Sequence, residues 1–290
     1  MDIKAELTHW QTLVEAALHK YFLDDCPQNN LLAAMRYSLL AGGKRIRPIL
    51  VLKFCEAVGG EPEMAMPLAC AIEMVHTYSL IHDDLPIMDN DDLRRGKPTN
   101  HKVFGECTAA LAGDALQAAA FYTALSAELP DGVKVRAASY LAHAAGEMGM
   151  CGGQELDTAE DSDRSLAGLT AINDLKTGAL LKAACVMGVM AGGGTEGQIA
   201  AAEQSGLHRA RAFQLRDDLL DIVSTDETLG KPVGSDAANG KPTYASILGV
   251  EESEKLVRAE SAAAKAALRP YFTATAFLDA LADHLAERKY

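Results

Sequence analysis

The stretch His82-Asp83-Asp84-Leu85-Pro86-Ile87-Met88-Asp89-Asn90-Asp91-Asp92-Leu93-Arg94-Arg95 sets seven charged side chains directly after an apolar run from Pro67 to Ile81. Leu68, Ile72, Val75, Leu80 and Ile81 repeat in that run at helical rather than alternating spacing, so the aspartates stand at a helix end. A second acidic group, Asp217-Asp218-Leu219-Leu220-Asp221, follows another apolar helical stretch, Leu207 to Leu215. Asp217 and Asp221 share one face of a helix, with Asp218 turned about 100° away. Like charges so crowded call for a cation among them, and Mg²⁺ completes a shell of one or two carboxylates with water and substrate phosphates. On an unbroken helix Asp89 would lie about 140° around from Asp84. Pro86 lacks an N–H and clashes with the preceding turn, so a break there lets Asp89 swing back towards Asp83.

The rest of the chain supplies helices around these clusters. Apolar residues from Leu7 to Phe22 and from Leu31 to Leu40 form buried stripes, the second ending at Gly42-Gly43. Lys44-Arg45-Ile46-Arg47-Pro48 then opens the next helix, and a helix start with adjacent cations is a natural anion site. Ala109 to Leu125 and Val133 to Met150 are alanine- and leucine-rich helices, and Gly152-Gly153 interrupts the pattern. Ser162 to Thr170 reads as a loop or short turn. Lys176-Thr177 starts an alanine-rich helix, Gly192-Gly193-Gly194 breaks the chain, and Gln198 to Val223 carries the second acidic group. Gly, Pro, Thr and Asp dominate from Ser224 to Thr243, where Lys231 and Lys241 read as lid cations. Two helices close the chain. Alternating β-branched runs are missing, so the expected fold is all-α, residues 1–290 forming one single-domain bundle around a central cavity.

Composition narrows the function. A net charge of −13 argues against non-specific nucleic-acid binding, which rests on Lys and Arg neutralising phosphates. The six cysteines are scattered without a CxxC pair and read as reduced thiols. The amino terminus has no continuous apolar core with a cleavage site, and no run approaches the roughly 18 apolar residues of a membrane span, so the cytoplasm is the expected address.

Six segments, in this order, carry a family resemblance: GGKRIRP (Gly42 to Pro48), HTYSLIHDDLPIMDNDDLRRGKPT (His76 to Thr99), LAGDAL (Leu111 to Leu116), GGQELD (Gly152 to Asp157), Lys176-Thr177 and QLRDDLLD (Gln214 to Asp221). Together they resemble the short-chain trans-prenyl diphosphate synthases of the bacterial farnesyl type. The resemblance implies that Asp83, Asp84, Asp89, Asp217, Asp218 and Asp221 hold Mg²⁺, three ions per site. It places Lys44, Arg47, His76 and Arg95 on isopentenyl diphosphate. Arg94, Lys176, Thr177, Gln214, Lys231 and Lys241 fall to the allylic diphosphate, dimethylallyl or geranyl. A homodimer making (2E,6E)-farnesyl diphosphate is expected.

Chain length is read from Tyr78, which on a helix stands roughly 7 to 8 Å below Asp83, where an isoprenoid tail would run. In similar synthases a bulky ring five positions before the first motif goes with the fifteen-carbon product; Ser79 is small and adds no block. Alternatives are a geranylgeranyl diphosphate synthase with the same motifs, a related terpene cyclase, an HD-type phosphohydrolase, and a catalytically silent partner subunit. The intact second aspartate motif and GGKRIRP speak against the cyclase. The remaining histidines fall in no metal-binding register, and no site residue is missing as a silent subunit would require.

Overall fold

The computed structural model describes residues 1–223 and 243–288, so Lys231 and Lys241 lie outside the described residues. Of the described residues 74% are helical, which makes the fold all-α. Two helices are apolar on nearly every side and form the centre: α4 (Pro62–Asp83) and α10 (Gly178–Ala191). Helices without a polar face have to be surrounded by others. Around them stand α2 (Asn29–Leu39), α3 (Ile46–Ala57), α6 (Glu106–Leu125), α7 (Asp131–Ala145) and α11 (Glu196–Val223). The outer helices are two-faced. On α1 (Ile3–Leu18) only Trp10, Val14 and Leu18 are buried, and Asp2 caps the helix by accepting from the Lys4 N–H at 3.0 Å. On α13 (Val250–Leu268) and α14 (Ala276–Glu287) the stripes are Val257, Ala264 and Leu268, and Phe277, Leu281 and Leu285.

Helix α4 starts at Pro62 rather than after Pro67, because Pro62 fits the first turn and Pro67 is a single lost hydrogen bond inside it. Its length and hydropathy suit a membrane span, a property the residue count did not anticipate, but the helix is mostly buried in the bundle. It also carries the buried Glu73. The helix expected over 133–150 stops at Ala145, where Gly146 turns extended, and α8 (Met150–Thr158) begins after a four-residue break. Gly152 and Gly153 do not interrupt a helix; they lie inside α8. A Cβ on Gly153 would come within 2.2 Å of the Lys176 backbone nitrogen, so the glycine lets α8 press against the end of α9 (Leu166–Lys176). Part of the expected loop over 162–170 is thus helix, started by a Ser165 cap on the Gly168 N–H. One short hairpin pairs β1 (Leu93–Arg94) with β2 (Lys97–Pro98), a feature too small for any alternating pattern to announce. Helices α5 (Asn100–Phe104) and α12 (Tyr244–Leu248) complete the described elements.

Candidate active site

The first acidic cluster is built where α4 ends. Asp83 is its last residue and Asp84 its cap, and the chain then folds back through Pro86 so that the Asp89 N–H donates to the Asp83 carbonyl at 2.8 Å. Asp89 is thereby returned to Asp83. Burial pushes the Asp83 carboxyl up to about 6; Asp89 and Asp84 add to this, while Lys176 and Arg94 oppose it. Asp84 is buried and gripped by Arg94, whose Nε lies 2.7 and 2.9 Å from its two oxygens. The hairpin that carries Arg94 is pinned from outside. Tyr37 donates to the Pro98 carbonyl at 2.8 Å, and buried Asn100 donates to the Ala34 carbonyl and Ser38 hydroxyl, both at 2.8 Å.

The three cations of GGKRIRP separate into different roles. Arg45, in the left-handed region at φ 49°, turns inward, donating to Glu73 at 2.5 Å, Glu15 at 2.7 Å and the Leu39 carbonyl at 2.7 Å. It is a structural tie. Arg47 faces His76 and Arg95: burial and the Arg95 charge lower its pKa against the pull of Glu73, and its Nε is buried without a hydrogen-bond partner. Burial, then Arg47 and Arg95, hold the His76 imidazole well below its ordinary value, so it stays neutral. The Arg95 guanidinium lies over Gly43, where any Cβ would meet its central carbon at 2.7 Å, and it donates to the Gly42 carbonyl. Two guanidinium groups and a neutral imidazole around one unpaired N–H make a ready anion pocket. Lys44 lies towards the second acidic cluster: burial and Arg288 lower its pKa while Asp217 raises it.

That cluster is tied to its surroundings by a relay. Thr177, between α9 and α10, donates to the Gln214 side-chain oxygen at 3.3 Å; Gln214 donates to Asp218 Oδ1 at 2.9 Å; and the Tyr244 N–H donates to Asp218 Oδ2 at 2.8 Å. Lys176 is held by Asp157 of α8 at 2.6 Å. Asp217 pairs with Arg288, whose guanidinium also stacks 3.9 Å over the Phe213 ring. Asp221 is buried on the same helix. Arg288 is one residue that reading the sequence missed. Its only signal was a basic pair, Arg288-Lys289, at the end of an acidic chain. Asn100 and Tyr37 escaped for a different reason, since they act on the hairpin from behind and belong to no charged pattern.

Among the described residues no three His, Cys, Asp or Glu side chains converge on one metal-sized point. The donor set nonetheless fits a hard cation: every candidate ligand is a carboxylate, and Asp83 is held partly out of water with Asp89 and Asp84 close by, where a cation would favour its ionised form. Both Asp84 oxygens are engaged by Arg94, so a metal at Asp84 would use the lone pairs that this pairing leaves or take the place of Arg94.

Tyr78 is 5% exposed on α4, its ring edge-on to His82 with centroids 5.8 Å apart. Ser79 turns its hydroxyl back to the His76 carbonyl at 2.9 Å and presents no bulk.

Comparison with known proteins bears on the family and the fold. The family model described as polyprenyl synthetase matches residues 28–269. The chain is 45% identical to a farnesyl diphosphate synthase of Geobacillus stearothermophilus over 93% of this chain and 92% of that one. It is 48% identical to a geranylgeranyl diphosphate synthase of Cyanophora paradoxa over 84% and 82% of the two chains. The crystal structure of a geranylgeranyl pyrophosphate synthetase from Pyrococcus horikoshii superposes with a TM-score of 0.90 at 32% identity, covering 99% of this chain and 98% of that one. With its helical bundle, its two aspartate clusters and these relatives, the chain belongs to the polyprenyl synthetase family and is a prenyltransferase.

Proposed function

We propose that the protein is a Mg²⁺-dependent head-to-tail prenyltransferase that condenses isopentenyl diphosphate with dimethylallyl and then geranyl diphosphate to give (2E,6E)-farnesyl diphosphate. The observation that carries the fifteen-carbon reading is the buried Tyr78 ring, five residues below Asp83 on one unbroken helix. The identity to a farnesyl synthase supports it, and the similarity to geranylgeranyl synthases keeps the twenty-carbon product as the second reading.

Asp83, Asp84, Asp89, Asp217, Asp218 and Asp221 would hold Mg²⁺, which supplies positive charge to the diphosphate as it leaves. Lys176, Thr177, Gln214 and Arg94 take the allylic diphosphate, together with Lys231 and Lys241, which lie outside the described residues. Lys176 and Arg94 already sit within electrostatic reach of Asp83. Turning from Asp157 and Asp84 to the substrate, they meet the negative charge that develops as the diphosphate leaves. Arg47, Arg95 and neutral His76 hold the diphosphate of isopentenyl diphosphate, with Lys44 at its edge beside Asp217. The apolar walls keep water from the allylic cation until the double bond attacks it. The test is diphosphate release from pure protein given Mg²⁺, isopentenyl diphosphate and each allylic starter. Release that needs both substrates and the metal is expected; release from an allylic substrate alone would point to a cyclase or hydrolase.

Residues 1–290 are read as one domain, supported by a main apolar cluster that runs from Trp10 to Leu285 and a smaller one around Leu215, Leu219 and Tyr244, and the cytoplasm is its proposed address. A homodimer through α6 is supported by an exposed stripe, Leu111, Tyr122 and Leu125, on one helix face. Leu111→Asp combined with Tyr122→Asp is expected to halve the mass measured by light scattering; an unchanged mass would place the interface elsewhere.

A further inference from the structure

We infer that Gln117 and Cys151 are positioning residues that hold the Tyr78 ring in place and so share in setting product length, an inference that rests on the reading of Tyr78 as the floor of the tail cavity. The Tyr78 hydroxyl lies 3.6 Å from Cys151 Sγ on α8, and the Gln117 side chain on α6 lies within reach of it. A phenol hydroxyl is both donor and acceptor, so it serves a thiol and an amide at once. The polar edge of the ring is thereby turned towards α6 and α8, and its apolar face is left for the tail. A ring on a single helix swings aside by rotating about its side-chain bonds. A ring tied to two other helices must first break those ties.

Helix α8 gives the arrangement a second length standard. Asp157 near its far end holds Lys176, and Cys151 near its start touches Tyr78. Six residues separate them, about 9 Å of helix rise. On α4 the matching step from Asp83 to Tyr78 is about 7.5 Å. The depth from diphosphate side to floor is thus fixed along two helices, and α8 belongs to both ends.

The experiment sizes the dephosphorylated products of Tyr78→Phe, Gln117→Met, Cys151→Ala and Cys151→Ser, with Tyr78→Ala as reference. Removing one neutral hydrogen bond changes a partition by roughly five-fold. Gln117→Met and Cys151→Ala should each raise the ratio of twenty- to fifteen-carbon product by about that factor, with kcat/KM for the first condensation unchanged. Cys151→Ser should restore the ratio. Adding Cys151→Ala to Tyr78→Phe should change nothing further, because the tie is already gone. Tyr78→Phe removes only the hydroxyl and keeps the core filled; if it retains the wild-type ratio while Tyr78→Ala lengthens the product, the floor reading stands and the positioning role is overturned. If Tyr78→Ala fails to lengthen the product, both fall.

Discussion

Asp83→Ala and Asp217→Ala will each lower kcat by roughly a thousandfold or more, the scale on which removal of a preorganised electrostatic group acts. Asp83 stands at the end of α4 beside Asp89 and opposite the charge of Lys176, in the place proposed for a metal ligand. The Asp217 side chain is 44% exposed and its partner is Arg288 rather than the core. Both variants should therefore keep the helical content and unfolding midpoint of the parent to within a few degrees. Near-native turnover of either variant in saturating Mg²⁺ would contradict the roles given to the two clusters.

Arg45→Met will lower stability by about 3 to 5 kcal/mol, because it strips the partner from a buried carboxylate. The Arg45 side chain is fully buried and Glu73 is 3% exposed in the pair, so Glu73 would be left charged or forced to take up a proton in the core beside Arg47 and Cys70. The double variant Arg45→Met with Glu73→Leu should regain most of the loss, since apolar residues of similar volume replace a buried pair at little cost. Denaturant titration followed by helical signal checks both. A loss below about 1 kcal/mol for the single variant would mean that solvent reaches Glu73.

These two sites show how far the sequence was legible. The aspartates could be read because the chemistry demands many like charges at fixed helical spacing, a pattern that chance and packing rarely produce together. Pro86 was readable because a proline directly after a helical run favours a break there, although Pro67 shows that α4 can carry one inside, and Asp89 does return to the Asp83 carbonyl. Arg45 was not separable from Lys44 and Arg47 on composition. Only its left-handed backbone, which turns the side chain towards Glu73 of a helix 28 residues away, decides that it is structural. Gly152-Gly153 misled because a glycine pair both breaks helices and permits close helix contact, and which applies depends on the approach of Lys176 from α9. Arg288 lay beyond the reach of local pattern altogether: its partner Asp217 is 71 residues away, and one cation near a chain end has no period.

The measurement that bears most directly on the central claim is chromatographic sizing of the dephosphorylated products of wild type and Tyr78→Ala, each given Mg²⁺, isopentenyl diphosphate and geranyl diphosphate. The wild type should release the fifteen-carbon alcohol, and Tyr78→Ala should pass it by and accumulate products of twenty carbons or more at a similar rate of first condensation, since the diphosphate sites are untouched. An active Tyr78→Ala enzyme that still stops at fifteen carbons, or a wild type whose main product is already twenty, would contradict the account.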